Sequence, residues 1–261
     1  MEFKKVSLVY FSATNVSKKY AVAMGKALDK EMVEYDFTLP ADRDPAKAPS
    51  FGPDDFVILS LPIYGGRVPD VCLEYLNALK GDNTPCVVVG TYGNRDFDDA
   101  VVEMEDIMTE KGFVVVGGAA VVGRHSFSDE IAGNRPNEED LAGAAEFIKL
   151  VAAKDGKALP KGTIPGNRPY KGKGGPMPLG PSTTDDCINC KLCAKKCPNG
   201  VISLENPKEL AKDPTECLRC HRCVTICPKH AKYFAGEGYK AMVDRCIAGF
   251  AKPDKENKYF M

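Results

Sequence analysis

The sequence of 261 residues contains no apolar run that reaches the roughly 18 residues required to span a bilayer. No apolar signal segment follows the N-terminal Met-Glu-Phe-Lys-Lys-Val. No predicted strand is followed by Gly-x-Gly-x-x-Gly, the pattern of many dinucleotide sites. These absences disfavour a membrane protein, a secreted protein stabilised by disulfides and a nicotinamide-dependent oxidoreductase. We therefore expect a soluble, cytoplasmic protein.

Cysteine, by contrast, is plentiful, and eight of the 11 cysteines fall in two copies of one pattern, C-x2-C-x2-C-x3-C-P, at residues 187–198 and 217–228. This spacing resembles that of bacterial two-cluster ferredoxins. The first three cysteines of a run bind one iron–sulfur cube, and the fourth, before proline, binds the other. Zinc sites more often consist of C-x-x-C pairs, and disulfides need an oxidising compartment, so we predict clusters instead. One predicted 4Fe-4S cluster has the ligands Cys187, Cys190, Cys193 and Cys227, and the second has Cys217, Cys220, Cys223 and Cys197.

The net charge of −1 conceals two halves of opposite sign. Residues 1–150 contain 15 Lys and Arg against 25 Asp and Glu, whereas residues 151–261 contain 20 against 11. Such asymmetry can indicate nucleic-acid binding. We expect no nucleic-acid partner here, because each oxidised cluster with its four thiolates adds roughly −2, which the basic residues partly neutralise. The split favours docking of the basic half on the acidic half, within one chain or across a homodimer.

Strand and helix patterns alternate over the first 154 residues, as in an open parallel sheet. Five β-rich runs and the amphipathic segments between them predict an α/β, flavodoxin-like, doubly wound five-stranded parallel sheet with the strand order 2-1-3-4-5. Asn137 is the predicted N-cap of the last helix. We predict a flavodoxin-like domain at 1–154, a Pro/Gly-rich linker at 155–184, a smaller two-cluster ferredoxin-like α+β domain at 185–236, and a C-terminal helix and tail at 237–261.

A possible anion site follows the first predicted strand, where hydroxyl side chains and backbone N–H groups gather at a helix N-terminus. The loop resembles the phosphate loop of flavodoxins, which binds FMN without a lysine. Asn15 stands where glycine is usual, and asparagine tolerates positive φ better than most residues. Ser and Thr before a helix can also be ordinary caps. The resemblance assigns the FMN phosphate to Ser12, Thr14, Asn15, Val16 and Ser17.

Two further loops follow the third and fourth predicted strands, at the positions where flavodoxins hold the isoalloxazine ring. In each, a tyrosine offers a stacking face, and the adjoining glycine lets backbone amides approach the flavin edge. A turn with a half-buried tyrosine would give the same pattern. Arg67 and His125 are lesser candidates, a surface role being the alternative for both. The residues predicted around the ring are Pro62, Tyr64, Gly65, Gly66, Thr91, Tyr92, Gly93, Asn94 and Phe97.

The combination resembles the flavodoxin/ferredoxin fusion proteins of anaerobic bacteria and archaea over nearly the whole chain. The resemblance implies an electron-transfer flavoprotein with FMN and two 4Fe-4S clusters, served by redox partner proteins such as a ferredoxin, a flavodoxin or an oxidoreductase, and with no catalytic residue assigned. The alternative is a flavin-dependent reductase of a small electrophile, such as a quinone, nitro compound or enone. Only His125, Arg67 and Arg95 hint at such a substrate site.

Overall fold

The computed structural model of the protein describes residues 1–175 and 177–261. A sheet with helices on both faces occupies the N-terminal half. Its strands are β1 (Lys5–Tyr10), β2 (Glu31–Asp36), β3 (Ser50–Phe51), β4 (Asp55–Pro62), β5 (Lys80–Gly81), β6 (Thr84–Tyr92) and β7 (Phe113–Val122). The helices are α1 (Val16–Ala27), α2 (Asp70–Ala78), α3 (Ala100–Glu110) and α4 (Glu138–Ala152), and two 3-10 turns lie at Pro40–Asp42 and Pro45–Lys47.

The C-terminal half contains short elements around the cysteine runs and one longer helix. They are β8 (Ser182–Thr183), α5 (Leu192–Lys195), a 3-10 turn at Pro214–Glu216, α6 (Arg222–Thr225), β9 (Lys232–Tyr233), α7 (Glu237–Phe250) and β10 (Lys258–Phe260). β8 and β9 pair antiparallel with each other, while β10 leaves this half and joins the main sheet. None of the helices within the described residues is both long and apolar enough to cross a membrane.

The main sheet has the order β10-β7-β6-β4-β1-β2. Its five long strands are parallel, and their order is the flavodoxin-like 2-1-3-4-5 once the two-residue strands β3 and β5, which pair with each other, are set aside. The predicted fold class is therefore confirmed. No sequence pattern indicated the sixth, antiparallel strand β10.

Burial on both faces explains the near-continuous apolar runs of the central strands. In β1, Val6 and Leu8 face a core with α1 and α4, whereas Val9 faces the opposite core with α2 and α3. α4 begins with the predicted cap, because the Asn137 side chain accepts a hydrogen bond from the Asp140 N–H at 2.9 Å and Asp140 reciprocates. Because the five long strands are parallel, their carboxyl ends lie at one edge of the sheet, where the loops that follow them meet.

The predicted linker packs against the N-terminal half instead of hanging free. Its Leu159 N–H donates to the Val115 carbonyl at 2.9 Å, and Ile164 is buried against the sheet. Its basic residues then pair with acidic groups around α3: Arg168 with Asp106 at 2.6 Å, and Lys171 with Asp98 at 3.2 Å.

Tail residues after α7 attach to the other side of the same half. β10 pairs antiparallel with β7, with Tyr259 opposite Ala119. Asn257 accepts a hydrogen bond from the Val122 N–H at 2.8 Å, and the Tyr259 ring stacks on Phe147 with 4.8 Å between centroids. The C-terminal half is therefore held to the N-terminal half by an attached segment on each side.

Candidate functional site

The loop between β1 and α1 has the features of an anion site. Asn15 precedes the helix with φ 65°, so an asparagine takes the left-handed conformation at the position where glycine is usual. The Asn15 side chain makes no capping hydrogen bond to α1, so it leaves the N–H groups at the start of the helix open to an anion. Ser12 instead receives a hydrogen bond from the Lys18 N–H at 3.0 Å, and Ser17 shares one with Thr91 at 2.6 Å.

This loop forms one end of a cleft of about 290 Å³ at the carboxyl edge of the sheet. The volume is close to the lower end of typical cofactor pockets, roughly 300–1,000 Å³. The three predicted loops, the loop after β7 and two residues of the second cysteine run meet there. The lining residues are Ser12, Ala13, Thr14, Val16, Ser17, Pro62, Ile63, Tyr64, Gly65, Thr91, Tyr92, Gly93, Arg95, Gly123, Arg124, His125, Ser126, Phe127, Leu218 and Arg219.

Four of the predicted flavin residues, Asn15, Gly66, Asn94 and Phe97, do not line the cleft. Asn94 is 2% exposed and turns toward the tail, where it donates to the Phe250 carbonyl at 2.6 Å. Phe97 packs against Tyr92 and against Phe260 of β10, with 6.0 Å between centroids in both pairs. Both positions belong to a contact that their local sequence does not reveal.

His125 lies in the cleft wall against Gly93. A Cβ atom on Gly93 would come within 2.4 Å of His125 Cδ2, so this close approach requires glycine. The His125 Nδ1 accepts a hydrogen bond from the Phe127 N–H at 3.2 Å, which assigns the proton of the neutral ring to Nε2. Burial lowers the pKa of His125, so the neutral form is the one expected near pH 7.

Arg67, a lesser candidate from the sequence, points away from the cleft. It forms a two-pronged ion pair with Glu103 at 2.8 and 2.7 Å, donates to the Lys171 carbonyl at 2.6 Å and lies 4.6 Å from the Tyr170 ring centroid. Its side chain is 13% exposed. Its contacts hold the linker segment in place, so neither a flavin contact nor a solvated surface charge describes it.

The cysteines come together in two groups that each mix the two runs. We call Cys187, Cys190, Cys193 and Cys227 the outer group, and Cys197, Cys217, Cys220 and Cys223 the inner group. Each group lines a separate small cavity with mostly apolar neighbours. In both, the last cysteine of one run joins the first three of the other, which is the crossed arrangement expected of a two-cluster ferredoxin.

Both cysteine runs have the same backbone conformation, offset by 30 residues. Left-handed residues occupy equivalent places in the first and second runs: Asn189 and Arg219, then Lys191 and His221. Backbone N–H groups donate to equivalent sulfurs, from Val201 to Cys197 and from Ala231 to Cys227, both at 3.3 Å. Four thiols with N–H donors in an apolar surrounding suit a cluster of iron and sulfide.

Electrostatics at the inner group also suit a metal cluster. Burial raises the pKa of the Cys220 thiol to about 12, and it raises the pKa of Cys223 as well. Such thiols stay protonated without metal, whereas iron binds the thiolate, so loading must release protons.

A buried lysine supplies positive charge to both groups. The Lys232 side chain, 2% exposed, donates to Thr183 at 2.6 Å. Burial raises the pKa of Cys193 and of Cys223, and the Lys232 ammonium opposes that rise at both thiols. The same charge would favour the thiolates that iron binds.

The inner group lies directly beside the cleft. Leu218 and Arg219, between Cys217 and Cys220, are part of the cleft wall. Cys220 is 8% exposed and packs with the core of the N-terminal half. Tyr64 lines the cleft and packs against the core that contains Cys220. Burial raises the pKa of this tyrosine, and the neighbouring Cys220 adds to the rise.

Arginine side chains link the halves through backbone carbonyls. Arg222 Nη1 donates to the Ala13 carbonyl of the anion loop, and Arg43 Nη2 donates to the Pro198 carbonyl at 3.0 Å. Among the described residues no ion pair joins residues 185–261 to residues 1–154. The expected docking of the two halves is therefore present within one chain, but its charge pairs come from the linker.

The flavodoxin-like fold, the cleft at its sheet edge and the two mixed cysteine groups thus belong to one chain. Residues 186–231 match the family described as "4Fe-4S dicluster domain". The chain is 46% identical over 46 residues to a component of an ion-translocating oxidoreductase complex of Methanosarcina acetivorans, covering 17% of each protein. It is 39% identical over 51 residues to "Ferredoxin Fdx2" of Sorangium cellulosum, covering 17% of this chain and 50% of that ferredoxin.

The chain spans between 17% and 24% of the length of the first four curated relatives that it matches. Among solved structures, a Streptococcus pneumoniae TIGR4 flavodoxin is similar with 19% identity, a TM-score of 0.42, and coverage of 57% of this chain and 98% of that one. Flavodoxin 2 from Bacillus cereus gives 19% identity, a TM-score of 0.43, and coverage of 57% and 97%.

Proposed function

We propose that the protein is an electron carrier in which two 4Fe-4S clusters and one FMN exchange electrons within a single chain. The observation that carries this proposal is the shared position of Leu218 and Arg219, which belong both to the inner cysteine run and to the cleft wall. Electron tunnelling falls steeply with distance, so a cluster ligated by the adjacent Cys217 and Cys220 is well situated to exchange electrons with a flavin in the cleft.

FMN stores two electrons, whereas each cluster passes one. The chain's own residues would hold the phosphate at the start of α1, with hydroxyls from Ser12, Thr14 and Ser17. Tyr64 and Tyr92 would flank the ring, and His125, with its proton on Nε2, offers a hydrogen-bond donor beside it. We assign the flavin to a domain at 1–154 and the clusters to one at 185–236, joined by the linker 155–184 and followed by the segment 237–261.

The order of cofactors follows from the two cysteine groups. The inner group adjoins the cleft, and the outer group is held only within the ferredoxin half. We infer a path from an external carrier to the outer cluster, then to the inner cluster and finally to the flavin, or the reverse. Redox partner proteins are implied at the outer end.

Anaerobic purification followed by cofactor analysis and rapid mixing tests this function. About eight iron, eight sulfide and one FMN per chain are expected. After reduction of the clusters, the flavin should be reduced at a rate that does not depend on protein concentration. Cys220→Ser should slow that step severely, whereas Cys246→Ser, the control at a thiol of α7, should not. A rate that rises in proportion to protein concentration would show that the transfer is not internal.

The second candidate is a flavin-dependent reductase of a small electrophile. Arg95, Arg124 and His125 line the cleft in addition to the residues expected for flavin, and they could orient an anionic or carbonyl-bearing substrate. Steady-state turnover of a quinone or nitro compound that disappears in Arg124→Ala, with the internal transfer rate unchanged, would favour this candidate over a pure carrier.

A further inference from the structure

Because the two cysteine runs repeat, each residue near the outer group has a counterpart near the inner group, including those that line the cleft. Ile188 lies between Cys187 and Cys190, just as Leu218 lies between Cys217 and Cys220. Leu218 is half-buried in the cleft wall, whereas Ile188 is 58% exposed. The same loop position therefore faces a redox cofactor site in one copy and the surface in the other.

The surface around Ile188 is basic. The two segments that supply the outer cysteines, 187–196 and 227–232, contain no acidic residue and, besides the buried Lys232, four lysines: Lys191, Lys195, Lys196 and Lys229. Lys191 and Lys229 line the outer cavity itself, and Lys195, Lys196 and Lys229 are exposed. Of the nearby acids, Asp185 pairs with Lys208 at 3.0 Å, and Asp186 accepts a hydrogen bond from Thr184.

These lysines are not used for docking between the halves. Across residues 1–175 and 177–261, no hydrogen bond or ion pair connects the segments 187–196 or 227–232 to residues 1–154. The charge of these exposed lysines thus remains available outside the contact between the halves, next to the exposed Ile188.

We propose that Ile188 with Lys191, Lys195, Lys196 and Lys229 forms the docking surface for an acidic one-electron carrier protein. This inference rests on the proposed electron-carrier function. Complementary charge steers the encounter, and an apolar centre within a charged rim gives a short-lived, specific contact. Each encounter moves one electron from the reduced carrier, which is oxidised, to the outer cluster, which is reduced, with no bond formed or broken.

Binding is measured directly by titrating the oxidised, cluster-loaded protein with an oxidised acidic two-cluster ferredoxin in a calorimeter at low and at physiological salt. Lys195→Glu/Lys196→Glu should weaken binding about tenfold or more at low salt and flatten its salt dependence. The matched control, Lys30→Glu/Lys80→Glu, changes the net charge equally at exposed lysines of the N-terminal half and should leave the dissociation constant within about twofold. Equal weakening in both double variants would show that net charge alone causes the effect, and it would refute the proposed docking surface.

Ile188→Glu tests the apolar centre, with its iron content measured to show that the clusters remain. Its clusters should be reduced by dithionite as fast as in the parent but by the reduced ferredoxin about tenfold more slowly. Unchanged rates with the ferredoxin, or loss of binding in Arg124→Glu at the cleft instead, would place the entry point elsewhere. If cluster reduction is normal but the flavin stays oxidised, the electron-carrier proposal fails while the docking measurement stands.

Discussion

Replacing Asn94 tests whether this residue holds the tail or the flavin. Its buried side chain makes three hydrogen bonds to the end of α7 and the segment after it: to the Phe250 carbonyl at 2.6 Å, to the Pro253 carbonyl at 3.1 Å and from the Lys255 N–H at 2.7 Å. Each contributes about 1 kcal/mol net, so Asn94→Ala should weaken tail attachment by about 3 kcal/mol. Since about 1.4 kcal/mol is a factor of ten, the detached population should rise roughly 100-fold.

Hydrogen exchange followed by mass spectrometry reads this detachment directly. Peptides covering residues 250–261 and β7 should exchange about 100-fold faster in Asn94→Ala, while those covering β1 should not change. Asn83→Ala is a matched control: Asn83 also has positive φ, 51° against 59° for Asn94, but within the described residues its exposed side chain makes one hydrogen bond, to Asp82 at 3.3 Å. Asn83→Ala carries the same penalty for placing alanine at positive φ, but it removes no hydrogen bond to the tail.

The opposite result would restore the interpretation made from sequence. If Asn94→Ala leaves tail exchange unchanged but releases the flavin, then its side chain acts on the ring, and the contact with the tail contributes nothing. Asn94→Gly separates loss of the hydrogen bonds from backbone strain, because glycine adopts positive φ freely whereas alanine does not. It should speed tail exchange as much as alanine does, since both substitutions remove the same three hydrogen bonds.

Three further outcomes follow from the site. Thr14→Glu should abolish flavin binding by placing a carboxylate in the anion loop, and mass spectrometry of the released flavin measures it. Cys197→Ala should remove the EPR signal of the inner cluster and spare the outer one, and the reverse pattern would refute the crossed ligation. Arg222→Leu, which installs the residue found at Leu192 in the first run, removes the hydrogen bond to the Ala13 carbonyl; internal electron transfer should slow about tenfold with normal iron content, and an unchanged rate would make that contact dispensable.

The fold could be predicted because its strands are buried on both faces and therefore leave long apolar runs, such as β6 and β7. The grouping of the cysteines could also be predicted, since cluster ligation requires a particular spacing in the sequence. The anion loop and both Tyr-Gly loops meet at one edge because parallel strands all end there, so sequence order alone was enough to bring them together.

Contacts between distant segments could not be predicted in the same way. Leu218 and Arg219 look like ordinary loop residues of a cysteine run, and nothing local shows that they line the cleft. Asn94 follows a strand in the pattern expected of a flavin loop, yet its partners lie about 160 residues away, and β10 consists of only three residues. Such contacts depend on where the two halves meet, which no periodicity encodes.

Pairing of β10 with β7 has a consequence for biosynthesis. The strand follows both cysteine runs in the chain, so β7 emerges from the ribosome long before the segment that covers its edge. A bare, apolar edge strand is a template for pairing with other chains. Nascent protein therefore exposes this edge until residues 258–260 have been synthesised and have paired with β7, and it is open to aggregation through the flavodoxin-like half during that time.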